Sequence, residues 1–232
     1  RMSTRRKNFN CYTLIMNVKA VIFFFYGTLT EHNSWFEFSR ALGVPVKDHA
    51  TVYKDAVGGK ISLDRSKRLL LDMWRKSENA NEAYINELFS SWEAKKDAKY
   101  VVDWLKSKGY KTCIISGSLR QCAEATANKL DIDYFYTSSE LHYDSNGLLN
   151  EFDYVIDQAS AKLDHLKQFC KENNLFVNEC IVVGDGDNDI SLFEATKRGI
   201  FVETKYSSEQ LRSLAWKSVT QLREITDIIA MV

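Results

Sequence analysis

The chain has 232 residues, with 31 basic and 31 acidic side chains, 45% apolar residues and 12% aromatic residues. Balanced charge excludes a long-range field that would recruit nucleic acid or an anionic membrane. No apolar run approaches the ~20 residues of a membrane helix, so a soluble globular protein is expected. At roughly 150 residues per domain, the length suits a core domain carrying a small insert.

The five cysteines (Cys11, Cys113, Cys122, Cys170, Cys180) are odd in number, widely spaced and contain no C-x-x-C pair. This pattern argues against a disulfide framework and a zinc site, and predicts a reducing, cytoplasmic setting. A single proline, Pro45, excludes proline-rich linkers.

Residues 1–16 carry Arg1, Arg5, Arg6 and Lys7 with no acidic residue before Glu31. They are expected to be an N-terminal extension whose removal leaves the fold intact. From Asn17, NVKAVIFFFYGTLT is a continuous apolar run ended by Gly27, the pattern of a strand buried on both faces of a parallel sheet. Between residues 31 and 94 no comparable strand occurs. Helical spacing over 35–42, 47–57, 62–76 and 81–92, broken by Gly43, Gly58 and Gly59, predicts a small helical insert.

Beyond it, strand and helix signals alternate. They predict a helix over 98–108, a strand over 111–116, a helix over 119–130, a short strand near Tyr134, and a hairpin over 140–152 turning at Asp144-Ser145-Asn146-Gly147. A helix over 159–172, a strand over 180–183, a helix over 189–198, a strand over 200–202 and two closing helices complete an α/β pattern. The predicted partition is a core of residues 17–30 and 95–232 with a helical cap at 31–94.

Ligands of open parallel sheets bind at the carboxyl ends of the strands. Four polar features follow strands or open helices: Gly27-Thr28, Ser116-Gly117-Ser118, Lys162, and Gly184-Asp185-Gly186-Asp187-Asn188-Asp189. Glycines there let backbone N–H groups approach an anion, and carboxylates suit a hard cation such as Mg²⁺. Singly, each has a plainer reading: a strand-to-helix turn for Ser116-Gly117, a solvated helix residue for Lys162, a calcium-type loop for GDGDND. In this order they describe a phosphate and metal pocket.

With GTLT, IISGS, Lys162 and GDGDNDISLF in that order, the chain resembles the haloacid dehalogenase superfamily, and within it the phosphoserine-phosphatase-like branch. The resemblance spans roughly residues 17 to 230. It implies an α/β, Rossmann-like three-layer parallel sheet core with a small α-helical cap inserted after the first strand, and phosphomonoester hydrolysis as the ancestral reaction. It implies Ser116 and the Gly117 N–H as holders of phosphoryl oxygens, Lys162 as charge balance, and Asp185 with Asp189 as ligands of Mg²⁺. A small phosphorylated metabolite is the implied ligand.

Two positions depart from the family pattern D-x-D-G-T. Phe24 stands where the family carries its nucleophilic aspartate and Tyr26 where it carries the acid-base aspartate; the first aspartate of the chain is Asp48. A phenyl ring can neither attack phosphorus nor ligate a metal. In the cap, Asn33 stands where the branch carries a glutamate for the substrate ammonium, which argues against phosphoserine, whereas Arg68 matches its carboxylate-binding arginine.

An impaired or inactive phosphatase with weak Mg²⁺ binding is therefore expected. Lys162 is expected to contact Asp185 or Asp189 in the absence of metal, and the Phe24 ring to narrow the phosphoryl pocket. The alternatives are an active Mg²⁺-dependent phosphomonoesterase scaffold in which Phe24 is engineered or erroneous, and a cap that serves as a protein-interaction module through Trp35, Phe36, Trp74 and Trp92. Aromatics at helical spacing more often form core than interface.

Overall fold

Alternating side chains of the first strand face opposite ways. Along β1 (Ala20–Phe23), Val21 and Phe23 enter one apolar cluster and Ala20 and Ile22 another. Such a strand is buried on both faces. The structure, a computed structural model, describes residues 17–205 and 208–232; the expected N-terminal extension and Cys11 lie outside the described residues.

Four helices follow β1: α1 (Ser34–Ala41), α2 (Val46–Val57), α3 (Leu63–Trp74) and α4 (Glu82–Ser91). Asn33, Ser62 and Asn81 cap α1, α3 and α4 by accepting backbone N–H bonds. Then come α5 (Ala98–Ser107), β2 (Lys111–Leu119), α6 (Arg120–Leu130), β3 (Tyr134–Tyr143), β4 (Leu149–Asp153) and α7 (Gln158–Glu172). The remaining elements are β5 (Cys180–Gly184), α8 (Ile190–Thr196), β6 (Gly199–Val202), α9 (Glu209–Leu214), β7 (Lys217–Val219) and α10 (Glu224–Ile229).

The strands form one sheet in the order β4-β3-β2-β1-β5-β6-β7, parallel except for the β3–β4 hairpin. Helices α5, α6 and α10 cover one face, and α7, α8 and α9 cover the other. This is the expected three-layer α/β architecture.

Four elements differ locally from the sequence reading. The apolar run after Asn17 leaves the sheet at Phe23, because Phe25 C=O accepts from the N–H groups of Leu29 (2.8 Å) and Thr30 (3.1 Å), turning the chain back with Gly27 at φ +81°. β2 continues past Ser116 to Leu119 through a register shift, so Ser116-Gly117-Ser118 forms a bulge in the end of the strand and not a turn after it. β3 is ten residues long, and β7, a short strand with one buried residue, lies between the two closing helices.

Cys113, Cys122, Cys170 and Cys180 are buried free thiols. Among the described residues no helix is long and apolar enough to cross a membrane. Of the cap aromatics, Trp74 is fully buried and packs against Phe38 and Phe152. Trp35, Phe36 and Trp92 are half-buried, so none of the four forms an exposed patch.

Candidate functional site

The carboxyl ends of β1, β2 and β5 converge on a cavity of about 400 Å³ roofed by α1, α2 and α3. Phe24, the first residue past β1, is held to β5 by its N–H, which donates to Val183 C=O at 3.0 Å. Its ring is 2% exposed. It packs against Gly184 so closely that a Cβ there would lie 2.2 Å from Phe24 Cδ2 and 2.5 Å from Asp189 Oδ2. Only glycine lets the ring and that carboxylate share this corner.

Lys162, one turn into α7, is 4% exposed and reaches the same corner. Its Nζ sits 2.6 Å from Asp189 Oδ1 and 4.5 Å from the centre of the Phe24 ring. The expected lysine–carboxylate contact is thus made with Asp189, and the ammonium also has a π-face beside it. The other oxygen, Asp189 Oδ2, accepts from the backbone N–H groups of Asp185 and Gly186, both at 3.2 Å. A buried carboxylate with a cation and two amides is fully satisfied.

Asp185, 8% exposed, accepts from Thr28 Oγ1 at 3.3 Å and Thr204 Oγ1 at 3.5 Å. Burial, reinforced by the charge of Asp189, pushes its carboxyl up to about 6, against the opposing pull of Lys95, Thr28 and Lys162. Gly27 is required where the chain passes this carboxylate: a Cβ on it would lie 1.9 Å from Asp185 Oδ2. Lys95, just before α5, was not evident in the sequence. Its N–H donates to Leu29 C=O at 2.7 Å and its ammonium to Gly27 C=O, and burial lowers its pKa while Asp185 opposes this. No motif marks it, because only the tertiary fold brings it under the β1 loop.

At the β2 bulge, the Ser116 hydroxyl accepts from the Ser118 N–H at 3.0 Å. Gly117 C=O accepts from the indole N–H of Trp35 (3.1 Å) and from Ser139 Oγ (3.2 Å). A Cβ on Gly117 would meet Gln158 Oε1 at 2.1 Å, so the bulge needs glycine for Gln158 to sit over it. Gln158 is a further lining residue that the sequence did not single out.

The remaining candidates are spread around this centre. Tyr26 is 40% exposed at the mouth of the cavity, and Asn33 lines it while its Oδ1 caps α1 by accepting from the N–H groups of Trp35 and Phe36. Arg68 is exposed on α3 and is not part of the cavity wall; its neighbour Lys67 is. Phe24, Tyr26, Asn33, Ser116, Gly117, Lys162, Asp185 and Asp189 therefore share one cavity, and Arg68 stands apart.

The donor set is a poor fit to a resident Mg²⁺. Each oxygen of Asp185 and Asp189 already accepts a hydrogen bond or an ion-pair contact within the protein, and Phe24 contributes only hydrocarbon to this corner. Among the described residues no group of three or more His, Cys, Asp or Glu side chains is arranged to hold a metal. The ammonium of Lys162 neutralises Asp189 in this arrangement.

A family model for haloacid dehalogenase-like hydrolases matches residues 18–195. The chain is similar to the phosphoserine phosphatase of Methanocaldococcus jannaschii, 23% identical over 176 residues (76% of this chain and 81% of that one). It is similar to the probable phosphoserine phosphatase of Schizosaccharomyces pombe, 26% identical over 207 residues (88% and 68%). It is also 30% identical over 115 residues to the phosphoserine phosphatase of Lactococcus lactis, a match spanning 50% of this chain and about half (53%) of that relative. Among solved structures, a phospho-aspartyl intermediate analogue of phosphoserine phosphatase superposes with a TM-score of 0.70 at 22% identity, covering 91% of this chain and 99% of the other. A phosphoserine phosphatase in apo form gives 0.71 at 20% identity, covering 90% and 98%. With three of the motifs at the ends of parallel strands, Lys162 reaching them from α7, and a family match over most of its length, the chain belongs to the haloacid dehalogenase-like hydrolases, in their phosphoserine-phosphatase-like branch.

Proposed function

We propose that this chain is a phosphatase-fold protein that has lost the covalent step and keeps the old site as a seat for a small phosphorylated molecule. The observation that carries this reading is the Phe24 ring, buried beside Lys162 and Asp189 at the end of β1. A phosphoryl transfer through a covalent intermediate needs an oxygen lone pair at that position, and a phenyl ring has none. Asp185 and Asp189 do not stand at that position: both follow β5, and Asp189 is held there by Lys162 and two backbone amides.

The groups that remain are suited to holding an anion. The Ser116 hydroxyl and the Lys162 ammonium line one end of the cavity, beside Asp185 and Asp189. Lys162 is shared with Asp189, so it offers a phosphate less than a full unit of charge. In this reading Mg²⁺ binds weakly and is not a standing part of the site. A cytoplasmic setting belongs to the same proposal and rests on the cysteine pattern.

The test is phosphate release from p-nitrophenyl phosphate in millimolar Mg²⁺ by three proteins: the chain itself, Phe24→Asp, and Phe24→Asp/Tyr26→Asp. The unmodified chain is expected to match the blank, and the double variant to turn over. Turnover by the unmodified chain that vanishes in Asp185→Ala overturns the proposal.

A further inference from the structure

The two ends of the cavity differ in chemistry. The floor, at the β2 bulge and α7, is polar. The walls are aromatic: Trp35 meets Phe152 at 5.8 Å and Tyr154 at 5.4 Å between ring centres, both edge to face. Trp35 is fixed from both sides, stacked on Trp74 at 6.2 Å and 22° and donating its indole N–H to Gly117 C=O. A wall already held in place costs little to order around a ligand.

The mouth is apolar as well. Tyr26, Tyr53, Val57 and Ile156 are 40%, 45%, 53% and 42% exposed, and all four line this one cavity. Single exposed apolar side chains are ordinary, whereas a contiguous set around a concave pocket marks a binding surface.

Charge on the cap side is sparse. The inserted helices contribute one charged side chain to the lining, Lys67, and no carboxylate. The Lys67 ammonium lies 3.3 Å from Glu151 Oε1 and 5.4 Å from the centre of the Phe152 ring. Asn33 Oδ1 is spent on the α1 cap. A ligand ammonium entering under the cap would lose its hydration with no carboxylate there to offset the loss.

We infer that the occupant of this cavity is a flat, apolar-bodied molecule with one compact phosphate or phosphonate head, and not an amino-acid phosphate. The head sits at the Ser116 hydroxyl and Lys162, and the ring system lies between Trp35, Tyr154 and the Tyr53–Val57 rim. The inference rests on the phosphate seat proposed above and adds the chemical class of what it carries.

The experiment is calorimetric titration of the intact protein with four probes: 1-naphthylmethylphosphonate, which cannot be hydrolysed at a P–O ester, O-phospho-L-serine, inorganic phosphate and 1-naphthalenemethanol. The naphthyl phosphonate is expected to bind at least tenfold more tightly than each of the others, with a change in tryptophan fluorescence. Val57→Asp, at an exposed rim position, is expected to weaken the naphthyl phosphonate at least fivefold. Phosphoserine binding as tightly as the naphthyl phosphonate, or no binding of the latter, overturns the apolar body. Equal affinity for 1-naphthalenemethanol overturns the acidic head and with it the phosphate seat.

Discussion

Lys162 and Asp189 form an ion pair of 2.6 Å with side chains only 5% and 2% exposed. Taking two charges out of water costs several kcal/mol each, and the pair survives because Asp189 gains two amide bonds and Lys162 a ring face. Removing one partner would strand the other. Lys162→Met is accordingly expected to destabilise the fold by about 3–5 kcal/mol, read from urea unfolding midpoints at neutral pH; a loss below about 1 kcal/mol would mean that water reaches the pair. Phe24 belongs to the same corner and to the apolar cluster of β5 and α7. Burying such a ring contributes roughly 1.5–3 kcal/mol. The ring adds no negative charge beside Asp189, so the corner needs no cation other than Lys162 to balance that carboxylate.

Between elements, the helices of the insert are joined by a buried polar relay. Trp74 on α3 donates its indole N–H to Ser39 Oγ on α1 at 2.8 Å, and Ser39 Oγ lies 2.6 Å from His49 Nδ1 on α2. An indole N–H can only donate, so Ser39 Oγ is the acceptor for Trp74, and its remaining hydrogen-bonding capacity meets His49 Nδ1. Burial lowers the His49 pKa to about 4 from its ordinary 6.5. The sign follows: the folded state refuses a proton that the unfolded chain accepts, so the stabilisation is complete above pH 6.5 and is lost as pH falls toward 4. Over that window the loss is on the order of 3 kcal/mol. Urea midpoints of the protein and of His49→Gln between pH 7 and 4 are expected to converge as the pH falls, whereas parallel curves would show that His49 titrates normally.

At the scale of the molecule, one apolar cluster runs from the sheet into the insert. It contains Val21, Phe23 and Ile114 of the strands together with Phe38, Trp74, Ile85 and Phe89 of the inserted helices. Helix α4 packs against α6, and Trp35 bonds to β2. Insert and sheet are therefore expected to unfold together, giving a single calorimetric transition whose calorimetric and van't Hoff enthalpies agree. Two resolved transitions would show that the insert is held by its own core.

How much of this was legible in the chain depends on the range of the interactions. The positions of the four inserted helices, the α/β alternation, the Asn-Gly hairpin and the four motifs are set by local periodicity and turn chemistry, and those are written in sequence order. The lysine–carboxylate contact was foreseeable from charge alone, though its partner was not: Asp189 and not Asp185 is chosen because the turn after β5 aims two amides at it. Other features depended on neighbours far along the chain. Lys95 reaches the site only through the fold of the β1 loop, Arg68 faces solvent because α3 presents Ser66, Lys67 and Leu70 to the cavity, and the bulge at Gly117 is shaped by Gln158. The sequence by itself determined the fold class, the family and the absence of an oxygen nucleophile at position 24, since these are matters of residue type and order. Only the tertiary structure decided which charges neutralise each other and that the cavity walls are aromatic, because both are set by distances between segments that no spacing along the chain encodes.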